Sequence, residues 1–130
     1  GNNNTWLKIT GEQDYETVIK EMLSASIFVL PTYTEGFPNV ILESMACGCT
    51  IVASAVGAIP EMLNIDGDEP AGICIEPKNI EQLKSAIIKM LNDNKLASTY
   101  GSNAKKRVNE MYSMPSVWKQ MTDIWKSVIE

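Results

Sequence analysis

The residues with the most chemistry to offer lie together between positions 31 and 48: Pro31-Thr-Tyr-Thr34-Glu35-Gly36-Phe37-Pro38-Asn39-Val40-Ile-Leu-Glu43-Ser-Met-Ala-Cys47-Gly48. Two carboxylates, Glu35 and Glu43, stand with seven residues between them, and a glycine directly follows the first. Glycine lets a backbone come close to a ligand. Proline suits a helix start because its missing N–H would be unpaired there anyway. A helix opening at this point presents free amides and a partial positive charge, a common way to hold phosphate. Read singly, Glu35 is equally an acid favoured by the helix dipole, and Glu43 a solvated helix residue. The pair around Gly36-Phe37-Pro38-Asn39 favours a binding site.

The elements that must position these residues alternate between short apolar runs and amphipathic stretches. Leu7–Ile9 suits a short strand ending at Gly11, and Asp14 suits the cap of a helix with Tyr15, Val18, Ile19, Met22 and Leu23 on one face. Ile27–Leu30 reads as a fully buried strand stopped by Pro31. The central helix is expected from about Phe37 to Gly48, where a left-handed residue commonly ends a helix. With Gly36 and Glu43 about two helical turns apart, they would share a face roughly 10 Å apart along the axis. Thr50–Ser54 is the next buried strand, Pro60–Leu63 a short helix, and Gly72–Glu76 a further strand. Asn79-Ile-Glu-Gln82 looks like a capping box, with Ile80, Leu83, Ile87, Met90 and Leu91 as the apolar face beyond it. Two more helices follow. One spans about Leu96 to Met111 with Tyr100, Ala104, Val108 and Met111 inward; the other starts near Pro115 with Trp118, Met121, Ile124, Trp125 and Val128 inward. The alternation specifies an α/β fold, a partial Rossmann-like domain whose mostly parallel sheet of about four strands is flanked by helices. In such sheets ligands bind beyond the carboxyl ends of the strands. Pro31–Glu35 and Ser54–Pro60 should therefore share one rim.

At 130 residues the chain is one modest domain. Sixteen acids against eleven bases, a net charge of −5, argue against nucleic-acid binding and against docking to anionic lipid. No signal peptide or long apolar run appears, so the segment carries no membrane anchor of its own and a cytoplasmic location is expected. Cys47, Cys49 and Cys74 have no metal spacing and the chain has no histidine, so no metal site is expected and the cysteines read as small apolar residues. Met45, Met62 and Met90 read as core filler.

The run Glu35-Gly-Phe-Pro-Asn-Val-Ile-Leu-Glu43, followed by Ser-Met-Ala-Cys-Gly48, closely resembles the Glu-x7-Glu signature of retaining family 4, or group 1, glycosyltransferases. Gly11, the helix to Ser26, Ile27–Pro31, Thr50–Ser54, Gly57-Ala-Ile-Pro-Glu61 and Gly72-Ile-Cys-Ile-Glu-Pro77 extend the likeness over nearly the whole chain. The resemblance implies that residues 1–130 are the later part of a C-terminal, donor-binding Rossmann-like domain. It implies transfer of a sugar from a nucleoside diphosphate sugar to a hydroxyl acceptor with retention, as in polysaccharide synthesis, with no cofactor. Glu35 would touch the donor sugar near the reacting carbon, the backbone around Gly36, Phe37, Asn39 and Val40 would face sugar and diphosphate, and Glu43 would bind the ribose hydroxyls. Glu61 matches a family glutamate and is equally a helix-start acid. Ala58 stands where a second glycine is usual. Thr34 flanks the site, with packing against the rim the plainer reading.

The acceptor would be met by an N-terminal domain, and the whole protein could work at the cytoplasmic face of the membrane. The family's first two strands of this domain, and its diphosphate-holding arginine and lysine, have no counterpart in the chain. Either Leu7–Ile9 fills the resulting gap in the sheet, or the open edge recruits another molecule into an edge-mediated oligomer. The alternative from another class is a non-catalytic nucleotide-sugar-binding module acting with a partner chain.

Overall fold

A computed structural model describes residues 6–34, 36, 38–111, 123–124 and 126–127. The elements run α1 (Tyr15–Ser24), β1 (Ile27–Leu30), α2 (Asn39–Ala46), β2 (Thr50–Ser54), α3 (Ile59–Met62), β3 (Gly72–Ile75), α4 (Ile80–Asn92) and α5 (Asn94–Met111). The strands form one parallel sheet in the order β1-β2-β3, with Leu30 beside Ala53 and Ser54 beside Ile75. This is the expected α/β sandwich of a parallel sheet between helices, with three strands among the described residues instead of about four.

The missing strand is Leu7–Ile9, which takes no strand conformation. Leu7 and Ile9 are exposed, and Lys8 lies 3.9 Å from Glu21 of α1. A strand exists by pairing its backbone groups with a neighbour, and here the segment lies along α1, so its backbone stays with water. It does not fill the open edge of the sheet. Of the two edges, β1 and β3, the one beside this segment is β1, whose four residues are half-buried, not fully buried as their apolar run suggests. Its only described strand neighbour is β2.

The period of two along the central strand divides the core. Ile51 and Ala53 face a cluster with Ile19 and Met22 of α1, Ile41, Leu42 and Met45 of α2, and Ala104 and Val108 of α5. Val52 faces the other way, toward Ile75 and toward Ala86 and Met90 of α4. Both faces of β2 are covered, so all five of its residues are buried. Met45, Met62 and Met90 are buried as expected.

Local chemistry sets the helix ends. The Asp14 carboxylate accepts the Thr17 N–H at 2.8 Å and starts α1. Asn79 likewise accepts from Gln82 N–H, but the Gln82 side chain bonds Glu76 N–H at 2.7 Å instead of returning to Asn79. The reciprocal half of the capping box is thus absent, because the Asn79 N–H already donates to the Glu76 carbonyl. Along α4, Ala86 and Met90 are buried while Ile80 and Leu91 are exposed, and Met111 is exposed at the end of α5. The apolar stripes drawn from the sequence are wider than the faces the sheet covers. The Pro115-to-Val128 helix falls mostly outside the described residues, Trp118 and Trp125 included. Residues 123–124 and 126–127 are helical, and Ile124 is buried against the core.

Candidate functional site

Parallel register puts the carboxyl ends of β1, β2 and β3 side by side, so the loops leaving them form one rim. Two contacts tie that rim together. The Ala58 N–H donates to the Gly36 carbonyl at 2.8 Å, linking the loop after β1 to the loop after β2. The Lys78 ammonium lies 5.2 Å from the centre of the Tyr33 ring, reaching from the loop after β3. The sequence places the first two loops together but gives no sign of the third.

Ala58 is accommodated without strain. Its φ of −83° is right-handed, and the left-handed turn falls one residue earlier, on Gly57 with φ 55°. The position therefore needs no second glycine.

The helix that follows Gly36 starts later than its sequence suggests. Pro38 is the N-cap, in extended conformation, and Asn39 is the first helical residue. Proline's fixed φ suits the extended cap as well as the first turn. Gly36 therefore precedes the helix, and the two-turn helical path from Gly36 to Glu43 does not exist. Asn39 and Glu43, four apart, share a face one turn long. The N-cap residue Pro38 has no side chain to cap the amides of α2, in contrast to Asp14 at α1 and Asn79 at α4. At its other end α2 closes with a Schellman arrangement. Gly48, at φ 74°, donates its N–H to the Met45 carbonyl, and the Cys49 N–H reaches the Ser44 carbonyl.

Of the residues singled out in the sequence, Glu35 and Phe37 lie outside the described residues. Gly36 and Asn39 are exposed, and Val40 is half-buried against the core. Thr34 is exposed instead of packed into the rim, its carbonyl accepting from the Thr32 hydroxyl at 3.1 Å. Glu43 is half-buried, and desolvation raises its carboxyl above the usual range. Glu61 is exposed on α3, with its backbone carbonyl held by Arg107 Nη2 at 2.7 Å.

Tyr15 joins this neighbourhood unannounced. Its phenol is pushed up to about 12, first by burial and then by the nearby Glu43 and Cys47. Nothing in the spacing links position 15 to position 43; only the packing of α1 on α2 brings them together. The three cysteines are free, and burial pushes the thiols of Cys49 and Cys74 up to about 11, which leaves them poor nucleophiles. Among the described residues no group of His, Cys, Asp and Glu could hold a metal ion. No helix among them is long and apolar enough to cross a membrane.

Comparison with known proteins gives this rim a family. An uncharacterized glycosyltransferase of Methanocaldococcus jannaschii is 34% identical over 80% of this chain, and the chain covers 29% of that protein. A sucrose-phosphate synthase from Thermosynechococcus elongatus superposes with a TM-score of 0.74 at 30% identity, over 92% of this chain and 29% of the other. The C-terminal domain of a group 1 glycosyltransferase, LpcC of Francisella tularensis, superposes with a TM-score of 0.71 at 27% identity, covering 82% of this chain and 53% of that domain. The chain thus spans under a third of the length of the curated relatives it matches first. Residues 2–107 match the family profile of glycosyl transferases group 1, and the chain belongs to that family.

Proposed function

We propose that this chain is the later part of the C-terminal, donor-binding domain of a retaining glycosyltransferase. The whole enzyme would transfer a sugar from a nucleoside diphosphate sugar to a hydroxyl acceptor held by an N-terminal domain, in the cytoplasm. The observation that carries this reading is the Ala58-to-Gly36 hydrogen bond, which joins two rim loops beside the start of α2, where the N-cap Pro38 offers the helix amides no side-chain partner. A diphosphate matches such a helix start because the first amides have no partner inside the helix and the dipole favours negative charge.

In this reading the backbone of Gly36, Phe37, Asn39 and Val40 faces the sugar and diphosphate, with Thr34 at the edge. Glu43, one turn into α2, accepts the two ribose hydroxyls, since a carboxylate has two oxygens for a diol. Desolvation strengthens that bond, because a half-buried carboxylate gains more from donors than a solvated one. Glu35 orients the donor sugar and stabilises positive charge developing on it in the transition state; its role rests on the motif. Glu61 is a secondary contact. The chemistry needs no cofactor.

Titrating UDP- and GDP-sugars into the chain, beside its Glu35→Ala and Glu43→Ala variants, tests the assignment. Glu43→Ala should weaken nucleotide and nucleotide sugar alike, whereas Glu35→Ala should weaken the nucleotide sugar and spare the free nucleotide. Unchanged affinity in both variants would remove the reading.

A further inference from the structure

The Tyr15 hydroxyl is sealed from solvent and has no hydrogen-bond partner among the described residues. A buried donor without an acceptor costs stability, so its retention calls for a reason. Tyr15 opens α1 and packs on the core that holds Ile41, Leu42 and Met45, the residues around Glu43 on α2. Glu43 and Cys47 are the charged or titratable groups felt by the phenol, and they are one turn apart, the Cys47 N–H bonding the Glu43 carbonyl at 3.1 Å. A buried donor without an acceptor therefore lies where α1 packs on α2, in the neighbourhood of the half-buried Glu43 carboxylate.

We propose that Tyr15 is a positioning residue for the nucleoside half of the donor, its hydroxyl donating to Glu43 when that carboxylate turns to the ribose. The inference rests on the assignment of Glu43 to the ribose. A carboxylate offers about four lone-pair sites on its two oxygens, enough for two sugar hydroxyls and one phenol. Hydrogen bonds of active sites are often unformed in the free protein and close in the complex. With the phenol in place, the carboxylate is fixed in the orientation that reads the diol. Without it, Glu43 keeps its charge and loses its direction.

The test compares UDP and GDP with their 2′,3′-dideoxy counterparts, titrated into the wild-type chain, Tyr15→Phe and Glu43→Gln. The wild-type chain should prefer the ribonucleotide, and Glu43→Gln should abolish that preference. Tyr15→Phe should shrink it by about tenfold, the scale of a hydrogen bond to a charged group, while leaving dideoxynucleotide affinity and thermal stability intact. Phenylalanine keeps the packing and removes only the unpaired hydroxyl, so a merely structural role predicts no change in preference. If Glu43→Gln abolishes the preference and Tyr15→Phe retains it in full, the positioning role is refuted and the ribose assignment stands. If Glu43→Gln retains it, or the wild-type chain shows none, the ribose assignment falls and Tyr15 falls with it.

Discussion

Glu43 shows how a candidate binding residue can stand against stability. Its carboxyl is raised by desolvation, so the folded chain holds that proton more tightly than the unfolded chain does. Between the unfolded value, near 4.5, and the raised folded value, the folded state binds more protons. Stability from this group therefore falls as pH rises through that window, and above it the carboxylate is a standing cost. Glu43→Gln should melt higher than wild type at pH 7, with the gap closing below pH 4.5, where both states are protonated; circular dichroism melts at the two pH values check this. A variant that melts lower at pH 7 would mean that the carboxylate makes bonds in the folded state that outweigh its desolvation. The sequence makes Glu43 legible as a candidate through its spacing from Glu35. It cannot show the burial, which comes from α1 packing over α2, nor Tyr15, which shares no periodicity with the motif.

At the scale of elements, α2 is held in place from behind. Its C-terminal turn closes on Gly48, and α5 passes so near that a Cβ on Gly101 would lie 2.5 Å from the Gly48 carbonyl oxygen. Alanine usually favours a helix interior over glycine by about 1 kcal/mol, yet here it meets backbone. Gly101→Ala should therefore destabilise the fold in urea unfolding; a stabilised variant would mean that α5 does not approach α2 this closely. Gly48→Ala has room, with Lys105 Cδ 3.7 Å from the added Cβ, so its cost should be that of a left-handed alanine, about 1–2 kcal/mol. Arg107 of α5 braces α3 instead, its Nε donating to the Met62 carbonyl at 2.9 Å and its Nη2 to the Glu61 carbonyl at 2.7 Å. Glycine at 48 announces a helix end in the sequence, and Asp14 and Asn79 announce helix starts. Gly101 announces nothing, because its neighbour is 53 positions away in the chain (101 minus 48). The start of α2 is misread by two residues because proline fits an N-cap and a first turn equally well.

At the scale of the molecule, the described residues form a rim of three loops and leave a sheet edge open beside it. Alternating strand and helix patterns made the parallel sheet legible, since β1, β2 and β3 all find partners within the chain. The Leu7–Ile9 strand was misread because an apolar run specifies a strand only where a neighbour exists to pair with it. Beside β1, a groove of about 590 Å³ runs between the N-terminal segment and α1, bordered by Lys8, Phe28 and Val40. An open edge of this kind favours pairing with another strand. Sedimentation should show concentration-dependent association of the chain, and a strict monomer at millimolar concentration would exclude an edge-mediated oligomer. A net charge of −5 and, on the proposed reading, a diphosphate held chiefly by helix amides predict that these 130 residues alone bind donor weakly and turn over little or none. Robust turnover by the purified 130-residue chain would contradict that. Whether Glu43 and the start of α2 form a nucleotide site is decided by titrating UDP and GDP into the wild-type chain and Glu43→Ala while following backbone amide resonances. Saturable shifts centred on Gly36, Asn39, Val40 and Glu43 are expected, with affinity lowered at least tenfold in Glu43→Ala, the loss expected for hydrogen bonds to a charged group. Shifts elsewhere on the molecule, or equal affinity in both proteins, would contradict a nucleotide site there.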